Sequence, residues 1–168
     1  KVLLCAGRQM GKTLILPVRW NLATAKPVLG INPAEKLLTN GIRGSLKYSD
    51  FEWCSWTNND SVSFTIDLLK PEVLNTLTLG CITNNGMAIH KPASVKVEVS
   101  DDNSNFREAA MQSFTPEEIF REGNFIENLP LKLGGTQGRY VRVSAKGPGV
   151  CPASHVRSGQ ASRIFLTK

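Results

Sequence analysis

The stretch that decides the fold is Val62-Ser63-Phe64-Thr65-Ile66-Asp67-Leu68, in which every second residue is apolar. Successive side chains of a β-strand point to opposite faces, so this period of two predicts a strand with one buried face. The same alternation recurs at residues 77–81, 95–99 and 141–145. We therefore predict an all-β protein of antiparallel strands.

Turn-forming residues separate these segments, as at 101–105 (Asp-Asp-Asn-Ser-Asn) and 134–138 (Gly-Gly-Thr-Gln-Gly). Helical signals are confined to two short places. Asn32 precedes Pro33 as a helix cap, and Thr115 precedes Pro116 with a glutamate at the third helical position. The pattern favours a β-sandwich that carries a turn or two of helix.

The chain has 168 residues, 41% of them hydrophobic and 20% charged, which suits one domain with a sizeable core. Residues 1–19 predict a terminal hairpin of a preceding small β-domain, and residues 20–168 predict the sandwich. The longest apolar run is far below the roughly 18 residues of a membrane span, so we expect no membrane segment. The first residue is Lys1 rather than Met, which suggests excision from a longer precursor.

The net charge of +6 is uneven, because the basic residues of both ends have no acidic neighbours while the middle carries all 14 acids. If the ends pair in space, they form a basic face that suits anionic partners such as sulfated or sialylated glycans. An ordinary solvated face is the alternative. The basic residues are neither dense nor interleaved with aromatics, so we expect no nucleic-acid partner.

The sequence gives little support for an enzyme active site. The four cysteines are Cys5, Cys54, Cys81 and Cys151, and their wide separation from one another argues against a zinc site. His90 and His155 are the only histidines, and neither lies in a nucleophile motif. Glu117 and Glu118 are explained by the helix cap, and Asp101 and Asp102 by a turn. Asp50 and Glu52 lie in an aromatic-rich loop and could bind a ligand, but nothing marks them as catalytic. We predict no catalytic site in this piece and no cofactor.

Aromatic residues cluster in a non-periodic stretch that contains Tyr48, Phe51, Trp53 and Trp56. Flat rings in loops can stack on the C–H face of a sugar, while a Trp beneath a long loop often belongs to the core. For Trp53 we favour the core. For Trp56 the two interpretations are evenly balanced.

Several segments together resemble discoidin (factor 5/8 type C) domains. They occur in the family's order: Gly41-Ile42-Arg43-Gly44-Ser45 with Trp53, Thr65-Ile66-Asp67-Leu68, Val95-Lys96-Val97-Glu98-Val99-Ser100-Asp101-Asp102 with Phe106, and Arg139-Tyr140-Val141-Arg142-Val143. More narrowly, residues 23–28 and 149–155 are similar to the module at the C-terminus of bacterial β-N-acetylhexosaminidases.

The resemblance implies an eight-stranded antiparallel jelly-roll β-sandwich, of the galactose-binding-domain type, whose end loops bind a glycan. We expect a sugar of galactose or N-acetylhexosamine type, or an anionic one, with Tyr48 or Trp56 stacking and His90, His155 and Arg157 donating hydrogen bonds. It also implies a secreted, periplasmic or cell-surface glycoside hydrolase, with an upstream catalytic domain as the module's partner in the same chain.

The family's structural calcium is not predicted here. On the resemblance, a calcium site would lie near Asn40 and Ser45, but Asn40 stands where the family usually has Asp and Lys168 where it has a late Glu. Calcium prefers several oxygen ligands, usually including carboxylates. Our hypothesis is that the Lys168 ammonium takes the place of the ion.

Two other functions remain open. A middle loop of related modules often has an aromatic before Ile-x-x-Pro, whereas this chain has Met87-Ala88 before Ile89, which favours a purely structural domain that packs on the catalytic domain. Adhesion to protein or lipid would need apolar loop tips, for which Met87 and Ile89 are the candidates.

Overall fold

The structure is a computed structural model that describes residues 19–22, 38, 43–50, 52–56 and 61–167. Within these ranges it contains seven strands, one short α-helix and one 3₁₀ turn. The elements are β1 (Arg19–Leu22), β2 (Cys54–Trp56), β3 (Val62–Asn84), the 3₁₀ turn (Asn85–Met87), β4 (Ser94–Ser100), β5 (Arg107–Ser113), α1 (Pro116–Ile119), β6 (Asn124–Lys146) and β7 (Ile164–Thr167).

The long strands β3 and β6 organise the fold because they pair with each other over almost their whole length. Ile66 lies opposite Val141, whereas Leu79 lies opposite Leu129. Between these two regions the register shifts, and Leu69 adopts φ 68°, in the left-handed region. A bulge of this kind bends a strand, so each long strand serves two layers.

Strand pairing therefore separates into two groups. One contains β1, the first half of β3, the second half of β6, β4 and β5, and the other contains β2, β7, the second half of β3 and the first half of β6. Every pairing between these strands is antiparallel. The predicted antiparallel sandwich is confirmed, and the described residues form seven strands rather than eight because β3 and β6 run continuously between the layers.

The main core lies between the layers and consists of the alternating residues that the sequence predicts to be buried. Val97, Val143 and Phe64 come from one layer, and Cys81 and Leu166 come from the other. All are at most 2% exposed. Burial of one such side chain contributes about 1.5–3 kcal/mol, so this interior supplies most of the stabilisation.

A second, smaller cluster contains Trp53, Ile82, Ile89 and Phe165. Trp53 is buried, and its indole Nε1 donates a hydrogen bond to the Ser45 carbonyl at 3.0 Å. Its predicted place in the core is confirmed.

Some predictions fall on other parts of the chain. The hairpin predicted at residues 1–19 lies, up to residue 18, outside the described residues, and so do residues 32–37 of the first predicted helix. No helix among the described residues is long and apolar enough to cross a membrane.

Candidate functional site

Three loops meet at one end of the sandwich. Ser94 at the start of β4 lies opposite both Ser113 and Lys146, and Asn84 at the end of β3 lies opposite Asn124. These registers bring the connecting segments 85–93, 114–123 and 147–163 to the same edge. In this fold class, ligand recognition depends on such loops rather than on the sheets.

Backbone hydrogen bonds hold the three loops together. The Asn85 N–H donates to the Gly123 carbonyl at 3.2 Å, which joins the first loop to the second. The His90 N–H donates to the Arg163 carbonyl at 3.0 Å, and the Arg163 N–H donates to the Ala88 carbonyl at 2.9 Å, which joins the first loop to the third. The loop end is therefore preorganised.

Helix α1 positions the second loop. Thr115 caps it, since its hydroxyl accepts from the Glu118 N–H at 3.3 Å while the Glu118 carboxylate accepts from the Thr115 N–H at 2.7 Å. The predicted cap is thus confirmed. Ile119 is buried, and the chain then turns so that Phe120 lies half-buried at the loop end.

A cleft of about 400 Å³ lies between the loops. One wall is Phe120, and the rest of the lining is mostly polar or small. The lining residues are Asn85, Phe120, Glu122, Gly123, Pro152, Ser154, His155 and Val156. An apolar ring beside a few polar groups is the usual composition of a small-ligand site.

Three rings pack edge to face at this cleft, and two of them line it. The ring centroids of His90 and His155 are 4.9 Å apart, those of His90 and Phe120 are 5.0 Å apart, and those of Phe120 and His155 are 6.1 Å apart. His90 is fully buried, whereas His155 is 9% exposed and lines the cleft. His90 therefore supports the two rings that a ligand can reach.

Both nitrogens of His155 have neighbours. Nδ1 accepts a hydrogen bond from the Arg157 N–H at 2.9 Å, which places the hydrogen of the neutral ring on Nε2. Nε2 lies 3.2 Å from the Asn85 side-chain nitrogen, while the buried Asn85 Oδ1 has no partner. Turning the amide by 180° lets Oδ1 accept from Nε2–H and satisfies both groups.

His90 is neutral at ordinary pH. Burial, together with the nearby His155, lowers its pKa to about 4, against an opposing hydrogen bond with the backbone of Ile119. A buried neutral imidazole packs against Phe120 without an uncompensated charge.

Arg157 is exposed next to the cleft. Its side-chain Nε donates to the Gly86 carbonyl at 2.8 Å, which ties the third loop to the 3₁₀ turn of the first. A guanidinium has five N–H donors, so an anchored Arg157 can still offer its terminal nitrogens to a ligand.

The predicted ligand residues thus divide into two groups. His90, His155 and Arg157 come together at the loop end, although His90 lies behind the surface. Trp56 is only 2% exposed and belongs to the main core. Because its ring offers no face to a ligand, the expectation that Trp56 stacks on a sugar is corrected.

Tyr48 lies elsewhere. It packs on the second cluster, with its ring centroid 6.2 Å from that of Phe165 in an edge-to-face contact. Tyr48 is not among the residues that line the cleft.

The structure adds Phe120, Asn85 and Glu122 to the site. Phe120 follows directly after the capped helix, which is the signal that could have placed it in a loop. Asn85 and Glu122 carry no sequence signal of their own.

Two further expectations concern metals and adhesion. Asn40 and Lys168, on which the calcium hypothesis rests, lie outside the described residues. Ser45 binds within its own loop, since its N–H donates to Asp50 and its hydroxyl accepts from the Lys47 N–H. Ile89, named as a possible apolar tip, is fully buried.

Although the cysteines lie far apart in the sequence, Cys151 has a histidine and a serine close to it in the folded chain. This buried thiol lies 3.9 Å from His90 Nε2 and 3.4 Å from the Ser162 hydroxyl. Cys151 also lies four residues before His155 in the sequence. This spacing is typical of metal-ligand pairs, and it is missed when only the distances between cysteines are considered.

Comparison with known proteins identifies a family for most of the chain. A family model for the F5/8 type C domain matches residues 26–158. No curated protein matches the chain.

Solved structures that match include CpGH89CBM32-5 from Clostridium perfringens, in complex with GalNAc-β-1,3-galactose, at 14% identity and a TM-score of 0.49, covering 90% of this chain and 95% of that one. A fucose-binding module from Streptococcus pneumoniae matches at 15% identity and a TM-score of 0.48, with coverages of 92% and 95%. The C-terminal domain of a chitobiase from Bacteroides fragilis matches at 15% identity and 0.46, with coverages of 89% and 92%. Because the family model spans most of its length, the chain belongs to the F5/8 type C, or discoidin, domain family.

Proposed function

We propose that the chain is a non-catalytic carbohydrate-binding module that holds one or two sugar residues in the cleft between its three end loops. The observation that carries this proposal is the position of the Phe120 ring beside the His155–Asn85 pair on the same cleft. Sugars need both an apolar face and a polar edge from their site.

The two kinds of contact have separate sources. Phe120 offers a ring against which the C–H groups of a pyranose can pack. His155, Asn85 and Ser154 offer hydrogen-bond donors and acceptors to hydroxyl groups, and Arg157 adds donors at the rim. The hydrogen bonds between the loops keep these groups in place before the ligand arrives, which lowers the ordering cost.

Binding is better supported than hydrolysis. Glycoside hydrolysis ordinarily uses two carboxyl groups across the scissile bond, about 5–9.5 Å apart. Among the described residues that line the cleft, Glu122 is the single carboxylic acid. An open cleft for one or two rings also gains little beyond its ordering costs, so we expect a Kd of about 0.1–1 mM.

The wider context is part of the same proposal and rests on the sequence motifs. The module serves a secreted bacterial glycoside hydrolase of the β-N-acetylhexosaminidase kind, placed in the periplasm, outside the cell or at its surface. Its partner in the same chain is an upstream catalytic domain. The glycan is of the galactose or N-acetylhexosamine type.

Titration calorimetry with galactose, N-acetylgalactosamine, fucose and GalNAc-β-1,3-galactose tests the binding function. Phe120→Leu removes the ring but keeps an apolar side chain, and we expect it to weaken binding at least fivefold. Phe106→Leu is the matched control, because Phe106 is a half-buried phenylalanine at the β4–β5 connection and contacts Arg142. Equal affinity in both variants, or no heat with any of these sugars at millimolar concentration, would contradict the proposal.

A structural domain that packs on the catalytic domain is the second candidate. The observation in its favour is the exposure of Val156 and Val150, at 75% and 53%, on the third loop. Val150→Ser, at a residue outside the cleft lining, should then weaken association with the separately produced catalytic domain without changing sugar binding. If the two proteins do not associate, this second function is wrong.

A further inference from the structure

Three side chains of types that bind metals meet beside the cleft, and one of them, His155, is also a proposed sugar contact. His90 comes from the first loop, and Cys151 and His155 come from the third. One ligand atom of each lies within 4.8 Å of the other two. His90 and Cys151 are buried, while His155 reaches the cleft.

Two of the three side chains, His90 and Cys151, already lie at nearly the spacing of metal ligands. Zinc–nitrogen and zinc–sulfur bonds of 2.0–2.1 Å and 2.3 Å place tetrahedral ligands about 3.3–3.6 Å apart. His90 Nε2 and Cys151 Sγ are 3.9 Å apart, so a few tenths of an ångström separate them from ligand spacing. Because both side chains are buried, this pair has little room to adopt another arrangement.

His155 has to move by about 1 Å to close the site, since separations within the cluster extend to 4.8 Å. Depending on the nitrogen used, ligation replaces its hydrogen bond with the Arg157 N–H or its contact with Asn85. Its sequence neighbours Ser154, Val156 and Arg157 are exposed, so the shift has to adjust only the contacts of the His155 ring itself, with His90, Phe120 and the groups that hydrogen-bond it. His155 is therefore the third ligand, and its movement completes the site.

The surroundings of His90 suit a ligand. The Ile119 carbonyl interacts with its ring, and Nδ1 is buried without a full hydrogen bond. A hydrogen on Nδ1 facing that carbonyl leaves the Nε2 lone pair directed at Cys151. Metal-bound histidines usually orient in this way, with the other nitrogen donating to a backbone carbonyl.

We propose that His90, Cys151 and His155 form a binding site for a thiophilic divalent cation of the zinc type, with a fourth coordination position open to the cleft. One thiolate and two imidazoles suit zinc or cobalt and do not suit calcium, which takes oxygen ligands. On binding, the Cys151 thiol loses its proton to solvent and a metal–sulfur bond forms, with no change of oxidation state.

Cobalt is the probe, because thiolate-bound Co²⁺ has a charge-transfer band in the near ultraviolet. Tag-free protein carrying Cys5→Ser, which removes the cysteine outside the described residues, is titrated with Co²⁺ in the absence of sugar. We expect saturation at one equivalent, displacement by Zn²⁺ but not by Ca²⁺, and release of about one proton.

Three variants locate the site. Cys151→Ser should remove the band, and His155→Gln should weaken Co²⁺ binding at least tenfold while the band remains at saturation. Cys81→Ser, a buried thiol in the main core, is the matched control and should keep both band and affinity. Thermal unfolding of each variant shows whether it is folded.

The proposal is overturned if millimolar Co²⁺ gives no thiolate band, if the band persists in Cys151→Ser, or if His155→Gln binds as tightly as the parent. X-ray absorption of the zinc-loaded parent needs no variant and should show one sulfur and two imidazole ligands. A shell of oxygen alone would also overturn it. Because no sugar is present, failure here leaves the carbohydrate function untouched, and the reverse holds as well.

Discussion

Gly44 is the position at which one added methyl group should damage the fold most. A Cβ at this residue would lie 2.1 Å from Cε2 of Trp53, and 2.4 Å from its Nε1. Non-bonded carbons prefer about 3.5–4.0 Å, so the indole would have to move by more than 1 Å. That movement breaks the hydrogen bond from Trp53 to Ser45 in a buried cluster.

The cost of Gly44→Ala follows from these two effects. Overpacking of a core costs about 1–3 kcal/mol, and a lost hydrogen bond about 1 kcal/mol, so we expect the free energy of unfolding to fall by about 2–4 kcal/mol. With a urea m-value of about 2 kcal/mol/M, the midpoint falls by about 1–2 M. Urea unfolding followed by far-ultraviolet circular dichroism measures the change.

Two comparisons isolate the cause. At Gly86 the nearest atom to an added Cβ is Asn84 Oδ1 at 3.6 Å, so Gly86→Ala should change stability by less than about 1 kcal/mol. In a Trp53→Leu background the indole is gone, and Gly44→Ala should then cost less than about 1 kcal/mol. If Gly44→Ala costs the same with Leu as with Trp at position 53, the steric explanation is refuted.

Three further predictions concern other parts of the molecule. Thr115→Ala removes the helix cap and should lower the free energy of unfolding by about 1 kcal/mol in urea titrations, and an unchanged midpoint would contradict the cap's role. Hydrogen bonds from Asn105, Ser104 and Ser100 hold the pKa of the Asp102 carboxyl below its usual range. The charged form therefore stabilises the folded state at pH values above the unfolded-state pKa of about 4. The stability lost in Asp102→Ala should shrink as the pH falls below 4, and a loss that does not depend on pH would refute this. Burial raises the pKa of Cys54 and of Cys81 to about 12, so iodoacetamide at pH 8 should leave both unlabelled in the native protein, as peptide mapping would show.

The fold could be predicted because its information is local and repetitive. The alternation at residues 62–68 and 95–99 marks buried faces directly, and the capping signals at Thr115 depend only on neighbours in the sequence. The continuity of β3 and β6 between the two layers could not be predicted. It depends on a bulge near Leu69, and the segment around it carries both strand-like and turn-like residues.

The site was harder to predict, because its residues come from three loops that meet only in the folded chain. His90, His155 and Arg157 do lie together at the loop end, and their role in binding a glycan stays a prediction. For Tyr48 and Trp56 the aromatic ring is the whole basis of the prediction. An aromatic residue suits a sugar face and a core equally well, and only burial separates the two roles. Phe120 is not predicted as a site residue, because its position at the cleft depends on where helix α1 ends in the folded chain.

The most direct test of the central claim is an NMR titration of ¹⁵N-labelled protein with galactose and N-acetylgalactosamine. If sugar binds between the three loops, the amide signals of Asn85, Phe120, Gly123 and His155 should shift together, with a common Kd, while that of Tyr48 stays in place. Shifts confined to the loop of Tyr48, or no shift at all at millimolar sugar, would contradict the account.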